Sequence, residues 1–311
     1  MHVIQLLNGA EKQLAFNRAV QAVAGEGAPF NQTGFCLGVT RLAAREGRTP
    51  WAALPDGTSA VYFVLQGRPK FKITGSLYSL RALHAVRVDG GQLHMLMNHA
   101  DSPALLLYIL NSPARSDLWS TPEPTFDINA EPPKNTVIDY PELPERAFTV
   151  NLNAFDGLHF PAGRWGRAIT NGASPLKDIG FSVGLSLLHQ RGSQVPWHEH
   201  PDRQNEVYLI FGGQVQMVIG DEVREVEGPA AVFIPGDAFH QVTNIGDGNV
   251  PLIYCYEGNQ APPHWRQELK LDGQTLPAAE SAGVPPLPAG AFRQCTAGNA
   301  REWFNLIAHA Q

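Results

Sequence analysis

Short runs rich in Val, Ile, Leu, Phe and Tyr alternate along this chain with Gly, Pro and Asp turns, and long helical periodicity is absent. Runs such as AVYFVL (60–65) and EVYLIF (206–211) have strand length. Strands of this kind, closely punctuated by turn residues, predict an all-β fold of the antiparallel barrel or jelly-roll type. In both runs, residues pointing to either side are apolar, whereas a strand with one wet face alternates. The outer face of this strand is therefore expected to be covered, by another barrel or by a second subunit. Helices are expected only at the ends. MHVIQLLNGAEKQLAFNRAV (1–20) reads as a short amphipathic helix, and a second is placed near Arg301 to Ala308.

The pattern occurs twice. PWHEHPD (196–202) lies over PWAALPD (50–56), and EVYLIFGG (206–213) over AVYFVLQG (60–67). AVFIPGDAFHQVTN (231–244) lies over AVRVDGGQLHMLMN (85–98). Trp197 over Trp51, Glu206 over Ala60 and His240 over His94 all give the same offset of 146 residues. The chain is thus read as two copies of one unit. Residues 1–110 are expected to form the first barrel, 111–177 a proline-rich connector, 178–260 the second barrel, and 261–311 a tail with its short helix.

Charge and composition narrow the function. With a net charge of −6 and no block of like charge, the chain lacks the basic face that nucleic acid requires. No apolar run is long enough to span a bilayer, and the first residues lack the continuous apolar core of a secretory signal. Cys36, Cys255 and Cys295 are odd in number and far apart, which argues against a disulfide framework. A cytoplasmic protein acting on a small molecule, without nucleic-acid or membrane partners, is the expectation.

The chemistry concentrates in the second copy. In an extended strand, residues i and i+2 share a face, so His198 and His200 point the same way. Glu206 follows a five-residue turn, and His240 comes from a later hairpin turned at Pro235 and Gly236. Three imidazoles and a carboxylate converging inside a barrel suit one divalent transition metal, Fe, Mn, Ni, Cu or Zn, with positions left for water or substrate. Glu206 has a second reading, a rim ion pair of little energetic worth. At the equivalent positions the first copy has Ala52, Leu54, Ala60 and His94, so no comparable site forms there. Trp197, Tyr208 and Asn244 have counterparts in Trp51, Tyr62 and Asn98, which assigns them to the scaffold; Tyr208 also shares the inward face of Glu206 and is a pocket candidate. His189 is another, as an acid or base. Arg203 and Gln204 sit in the turn, where they read as solvated loop residues or as a cover over substrate.

These spacings resemble the two motifs of the cupin family. Gly192, His198, His200, Glu206 and Gly213 match the first motif, and Pro235, His240 and Asn244 match the second. Together with the repeat, they make the chain resemble a bicupin. Two positions depart from the pattern. Five residues separate His200 from Glu206, where three or four are usual, and Gly236 stands one place early, with Asp237 in the usual glycine position. The resemblance implies a metal-dependent enzyme, and the apolar outer strand face adds the expectation of a homo-oligomer, a dimer. Among bicupins with one surviving metal centre it favours a non-haem Fe(II) dioxygenase acting on an aromatic or dicarbonyl substrate. The alternatives are a redox-neutral isomerase, lyase or decarboxylase, and a non-catalytic small-molecule-binding barrel.

Overall fold

The computed structural model describes residues 1–9, 11–73, 76–113, 163–171, 174, 176–200, 203–259, 285 and 287–292, with short strands at 137–138, 149–151, 158–160, 266–267, 270–271 and 274–275. The first ten strands are β1 (His2–Gln5), β2 (Lys12–Leu14), β3 (Arg18–Ala24), β4 (Cys36–Leu42), β5 (Ser59–Gln66), β6 (Lys70–Ile73), β7 (Ser76–Ser79), β8 (His84–Asp89), β9 (His94–Met97) and β10 (Ala104–Leu110). Four shorter ones follow: β11 (Val137–Ile138), β12 (Thr149–Asn151), β13 (Leu158–Phe160) and β14 (Arg164–Ala168). The second copy continues with β15 (Phe181–Leu188), β16 (Gln194–Glu199), β17 (Glu206–Ile210), β18 (Gln214–Ile219), β19 (Glu222–Glu227), β20 (Ala230–Ile234), β21 (His240–Asn244) and β22 (Val250–Glu257). Then come β23 (Arg266–Gln267), β24 (Lys270–Leu271) and β25 (Gln274–Thr275). No α-helix occurs among the described residues, and the fold is all-β, as the sequence pattern predicts.

The repeat is visible in the pairing. One seven-stranded sheet runs β12-β8-β5-β10-β4-β3-β2 and the other β1-β20-β17-β22-β15-β14-β13, the same order in corresponding strands. The facing sheets are β11-β7-β6-β9 in the first copy and β19-β18-β21-β16-β23 in the second. Each copy has its own core. Tyr62, Phe71, Val86, Leu106 and Tyr108 lie in the first, and Leu188, Tyr208, Met217, Val232 and Val242 in the second. Complete burial of an aliphatic side chain of this size contributes about 1.5–3 kcal/mol.

The edges differ from expectation. The N-terminal segment forms β1 and β2 rather than a helix. β1 pairs antiparallel with β20, Val3 opposite Val232, and β12 pairs in the equivalent way with β8, Thr149 opposite Val86. The backbone hydrogen bonds offered by a strand edge decide the conformation of so short a segment, and its weak helical periodicity yields. The compact units divide accordingly: Met1–Leu6, Asp156–Gly172 and Ser182–Gln311 in one, Leu7–Phe155 and Ala173–Phe181 in the other. Residues 1–6, expected in the first barrel, thus belong to the unit of the second. The expected connector, 111–177, includes four strands rather than a simple wrap. The C-terminal helix expected at 301–308 lies outside the described residues.

Two scaffold features recur. Asn98 donates from Nδ2 to the carbonyls of Leu42 (3.4 Å), Ala43 (2.9 Å) and Ser102 (2.8 Å), and its Oδ1 accepts from Ala100 N (3.2 Å). Asn244 repeats the first, third and last of these with Leu188 (3.1 Å), Gly248 (2.7 Å) and Gly246 N (2.9 Å). In β5 and β17, the side chains on both faces are buried within the single chain, Val61, Phe63, Val207 and Leu209 included.

Candidate metal centre

β16 places His198 opposite His240 of β21, and β17 begins at Glu206. Directly opposed residues on antiparallel strands have Cβ atoms about 4.5–5.5 Å apart. The imidazole centroids of His198 and His240 accordingly lie 4.1 Å from each other, and the ring of His200 stacks on that of His240 at 5.4 Å with a 3° interplanar angle. His198, His200, Glu206 and His240 are all buried, and one ligand atom from each lies within 4.8 Å of the others. Donors on opposite sides of a first-row ion, at bond lengths near 2.1 Å, sit about 4.2 Å apart. The group therefore fits a divalent ion after a contraction of roughly half an ångström.

Tautomers and electrostatics favour the same use. The backbone carbonyls of Pro196 (2.6 Å) and Ala238 (3.0 Å) accept from Nδ1 of His198 and His240 respectively. Nδ1 then carries the proton, and each Nε2 turns a lone pair inward. His240 Nε2 lies 2.9 Å from Glu206 Oε2. His200 Nε2 is 3.0 Å from the same oxygen. Burial alone would raise the Glu206 carboxyl, but His200 and His240 outweigh it and hold the carboxyl down to about 2. Burial, aided by the neighbouring imidazoles, pushes His198 well below the usual histidine range, so it is neutral and competent as a ligand.

The two departures in spacing meet in space. A Cβ on Gly236 would overlap the backbone of Arg203 and Gln204 in the longer turn, and Gly236 N donates to Asn205 Oδ1 at 3.2 Å. The early glycine makes room for the extra residue, and Glu206 still reaches the group. Arg203 is exposed, with φ of 56°. Tyr208 is 1% exposed and presents its edge to His240 at 5.8 Å. His189 follows β15, half-buried, and is not a member of the group.

Sequence reasoning missed Arg164. It pairs with Leu188 across β14 and β15, is 6% exposed, and has Tyr254, Tyr208 and Glu206 as electrostatic neighbours. Gly184 lies beneath Tyr254, where any Cβ would collide with the hydroxyl. Tyr256 packs on His200, centroids 4.6 Å apart. The signal for Arg164 was the repeat itself, since it falls over Arg18 at the same 146-residue offset.

No protein-family model matches the chain. It is 33% identical over 125 residues to the tetracenomycin polyketide synthase protein TcmJ of Streptomyces glaucescens, covering 40% of this chain and 78% of that protein. In fold it is similar to oxalate decarboxylase of Bacillus subtilis, a protein with Mn(II) centres, at a TM-score of 0.64 and 13% identity over 84% of this chain and 78% of that one. Oxalate decarboxylase of Lactobacillus farciminis (TM-score 0.58, 15% identity) covers 83% of this chain and 86% of its own. A glyoxylate-induced protein of Pseudomonas aeruginosa matches equally, with TM-score 0.58 and 15% identity over 81% and 84%. No helix among the described residues is long and apolar enough to cross a membrane.

Proposed function

The chain belongs to the cupin family as a bicupin, and we propose that its second barrel catalyses redox-neutral carbonyl chemistry on a small dicarbonyl or polyketide-like substrate. The observation that carries this reading is the buried group of His198, His200, Glu206 and His240, with its donor atoms within 4.8 Å. A divalent metal, Mn(II) by preference, held by these four would polarise a carbonyl oxygen and favour the enolate. Arg164 adds a second cation to the same interior, and the hydroxyls of Tyr208 and Tyr254 stand beside it. Hydrogen-bond donors and a guanidinium set in a dry interior stabilise developing negative charge on oxygen more strongly than water does. Ile210, Val242 and Leu252 belong with Tyr208 to one buried apolar core, which would keep water from that charge.

Two comparisons support redox-neutral chemistry over the dioxygenase that the family resemblance favours. The 33% identical relative is a polyketide synthase protein, and polyketides are built of repeated 1,3-dicarbonyl units. The neighbours in fold include decarboxylases, one of them with Mn(II). The test is exchange of the acidic C–H of a panel of 1,3-dicarbonyl compounds with D₂O, followed by NMR under strict anaerobiosis with Mn(II)-loaded protein. Exchange above the uncatalysed rate, falling about a hundredfold in His240→Ala, is expected. Consumption that requires O₂ would replace this reading with the dioxygenase.

A further inference from the structure

The first barrel lacks the His/Glu group, yet it buries a charge that no described residue balances. Arg18 opens β3, pairs with Leu42 of β4 and shares a face with Val20, both residues of the first core. It is 8% exposed. Among the described residues no carboxylate pairs with Arg18, and its buried Nε has no hydrogen-bond partner. Its electrostatic neighbours are Tyr108 and Tyr62. A guanidinium keeps its charge at physiological pH, and burying one without a counter-charge is strongly unfavourable.

The surroundings are ordered for a ligand. His94 donates from Nδ1 to the Gln92 carbonyl at 3.0 Å, so its Nε2 accepts from the Tyr62 hydroxyl at 2.9 Å. Burial holds His94 down to about 4, so it is neutral at pH 7 and Arg18 is the one cation among these side chains. Ala52 and Ala60 stand where the second barrel has His198 and Glu206, which removes an imidazole and a carboxylate from the interior. Ala52 bridges to the buried His94 and is itself half-buried, at the margin of the barrel.

We propose that the first barrel is a second, metal-free site that binds a small organic carboxylate on Arg18, with Tyr62 and Tyr108 beside it. The planar fork of a guanidinium matches a carboxylate in bidentate fashion. One cation balances one negative charge, which favours a monocarboxylate over a phosphate dianion. The aromatic and aliphatic walls, Phe71 and Leu54 among them, suit an apolar body. None of this depends on the metal of the second barrel.

The test is calorimetric titration of the full-length protein in EDTA with benzoate, and with benzamide as its neutral counterpart. It is run in an Arg164→Met background, so that only the first barrel offers this guanidinium. Benzoate is expected to bind with one equivalent and benzamide about tenfold more weakly or worse. Adding Arg18→Met should weaken benzoate about tenfold or more while the circular dichroism is retained. Equal binding of the two probes, no benzoate binding at millimolar concentration, or unchanged affinity in Arg18→Met would each overturn the proposal. Should Arg18→Met fail to fold, Arg18→Lys, which keeps the charge but not the fork, is read instead. Weaker benzoate then supports the site, and unchanged affinity overturns it.

Discussion

The two barrels share sheet order, the asparagine brace and an inward Arg–Tyr–Tyr set, Arg18 with Tyr62 and Tyr108, Arg164 with Tyr208 and Tyr254. They differ where the second carries His198, His200 and Glu206 and the first Ala52, Leu54 and Ala60. The backbone differs there too. β16 is a six-residue strand, whereas the equivalent segment of the first barrel makes only isolated bridges, Arg48 to Met97 and Ala52 to His94. One architecture therefore serves with and without the metal ligands. His94 keeps the hydrogen bond from Nδ1 to the carbonyl two residues before it, as His240 does, but turns its Nε2 to Tyr62. Histidine orientation belongs to the scaffold, and three further side chains complete the group that could hold a metal.

The strongest way to break this comparison is to remove a ligand from the second barrel. Elemental analysis of purified protein is expected to give near one equivalent of divalent metal, and His198→Ala below about a tenth of that. A full equivalent in the variant would place the metal elsewhere. Next in size is the reverse experiment, Ala52→His, Leu54→His and Ala60→Glu together. A second equivalent should appear, held about 10–100-fold more weakly because no continuous strand orients the new ligands. A folded variant that still binds one equivalent would show that the missing strand matters more than the missing side chains.

The sequence carried the repeat and the ligand set because both are written in side chains at fixed spacing. His198, His200, Glu206 and His240 needed only strand periodicity and one offset to be grouped. The pairing of β1 with β20 was not legible, because it is made by backbone hydrogen bonds that leave no pattern in side chains. The same cause undid the N-terminal helix, since His2 to Gln5 is too short to resist an available strand edge. Arg164 was legible and overlooked. A charged residue in an inward strand position of both copies is rare enough to signal a use.

A smaller effect tests whether His94 belongs to the scaffold. Burial favours its neutral form, so its folded value of about 4 lies below the unfolded value near 6.5. The stability this contributes is complete above pH 6.5 and is lost as pH falls toward 4, reaching about 3 kcal/mol. His84, also lowered to about 4, chiefly by burial and then by Arg81, adds a loss of the same sign in the same barrel. Urea denaturation across this range should show His94→Gln losing less stability on acidification than the parent. An identical pH slope would mean that His94 titrates normally and is not held as described.

The smallest effect bears on the claim that the scaffolds are the same. Asn98 and Asn244 share two carbonyl partners and one backbone N–H at matching positions in the repeat, and Asn98 also donates to the Ala43 carbonyl. Replacing a buried amide by alanine leaves those partners unsatisfied, a loss of about 2 kcal/mol for each variant. Asn98→Ala and Asn244→Ala should therefore shift the denaturation midpoint of their own barrels by similar amounts. The second is best measured without metal, since bound metal stabilises its barrel by mass action and would mask the loss. A difference of more than about 1 kcal/mol in metal-free protein would mean that the brace has acquired a second role in one barrel. Asn244 is the candidate for it, because it ends β21, the strand that begins with His240, and a slip of that strand would carry the imidazole away from Glu206.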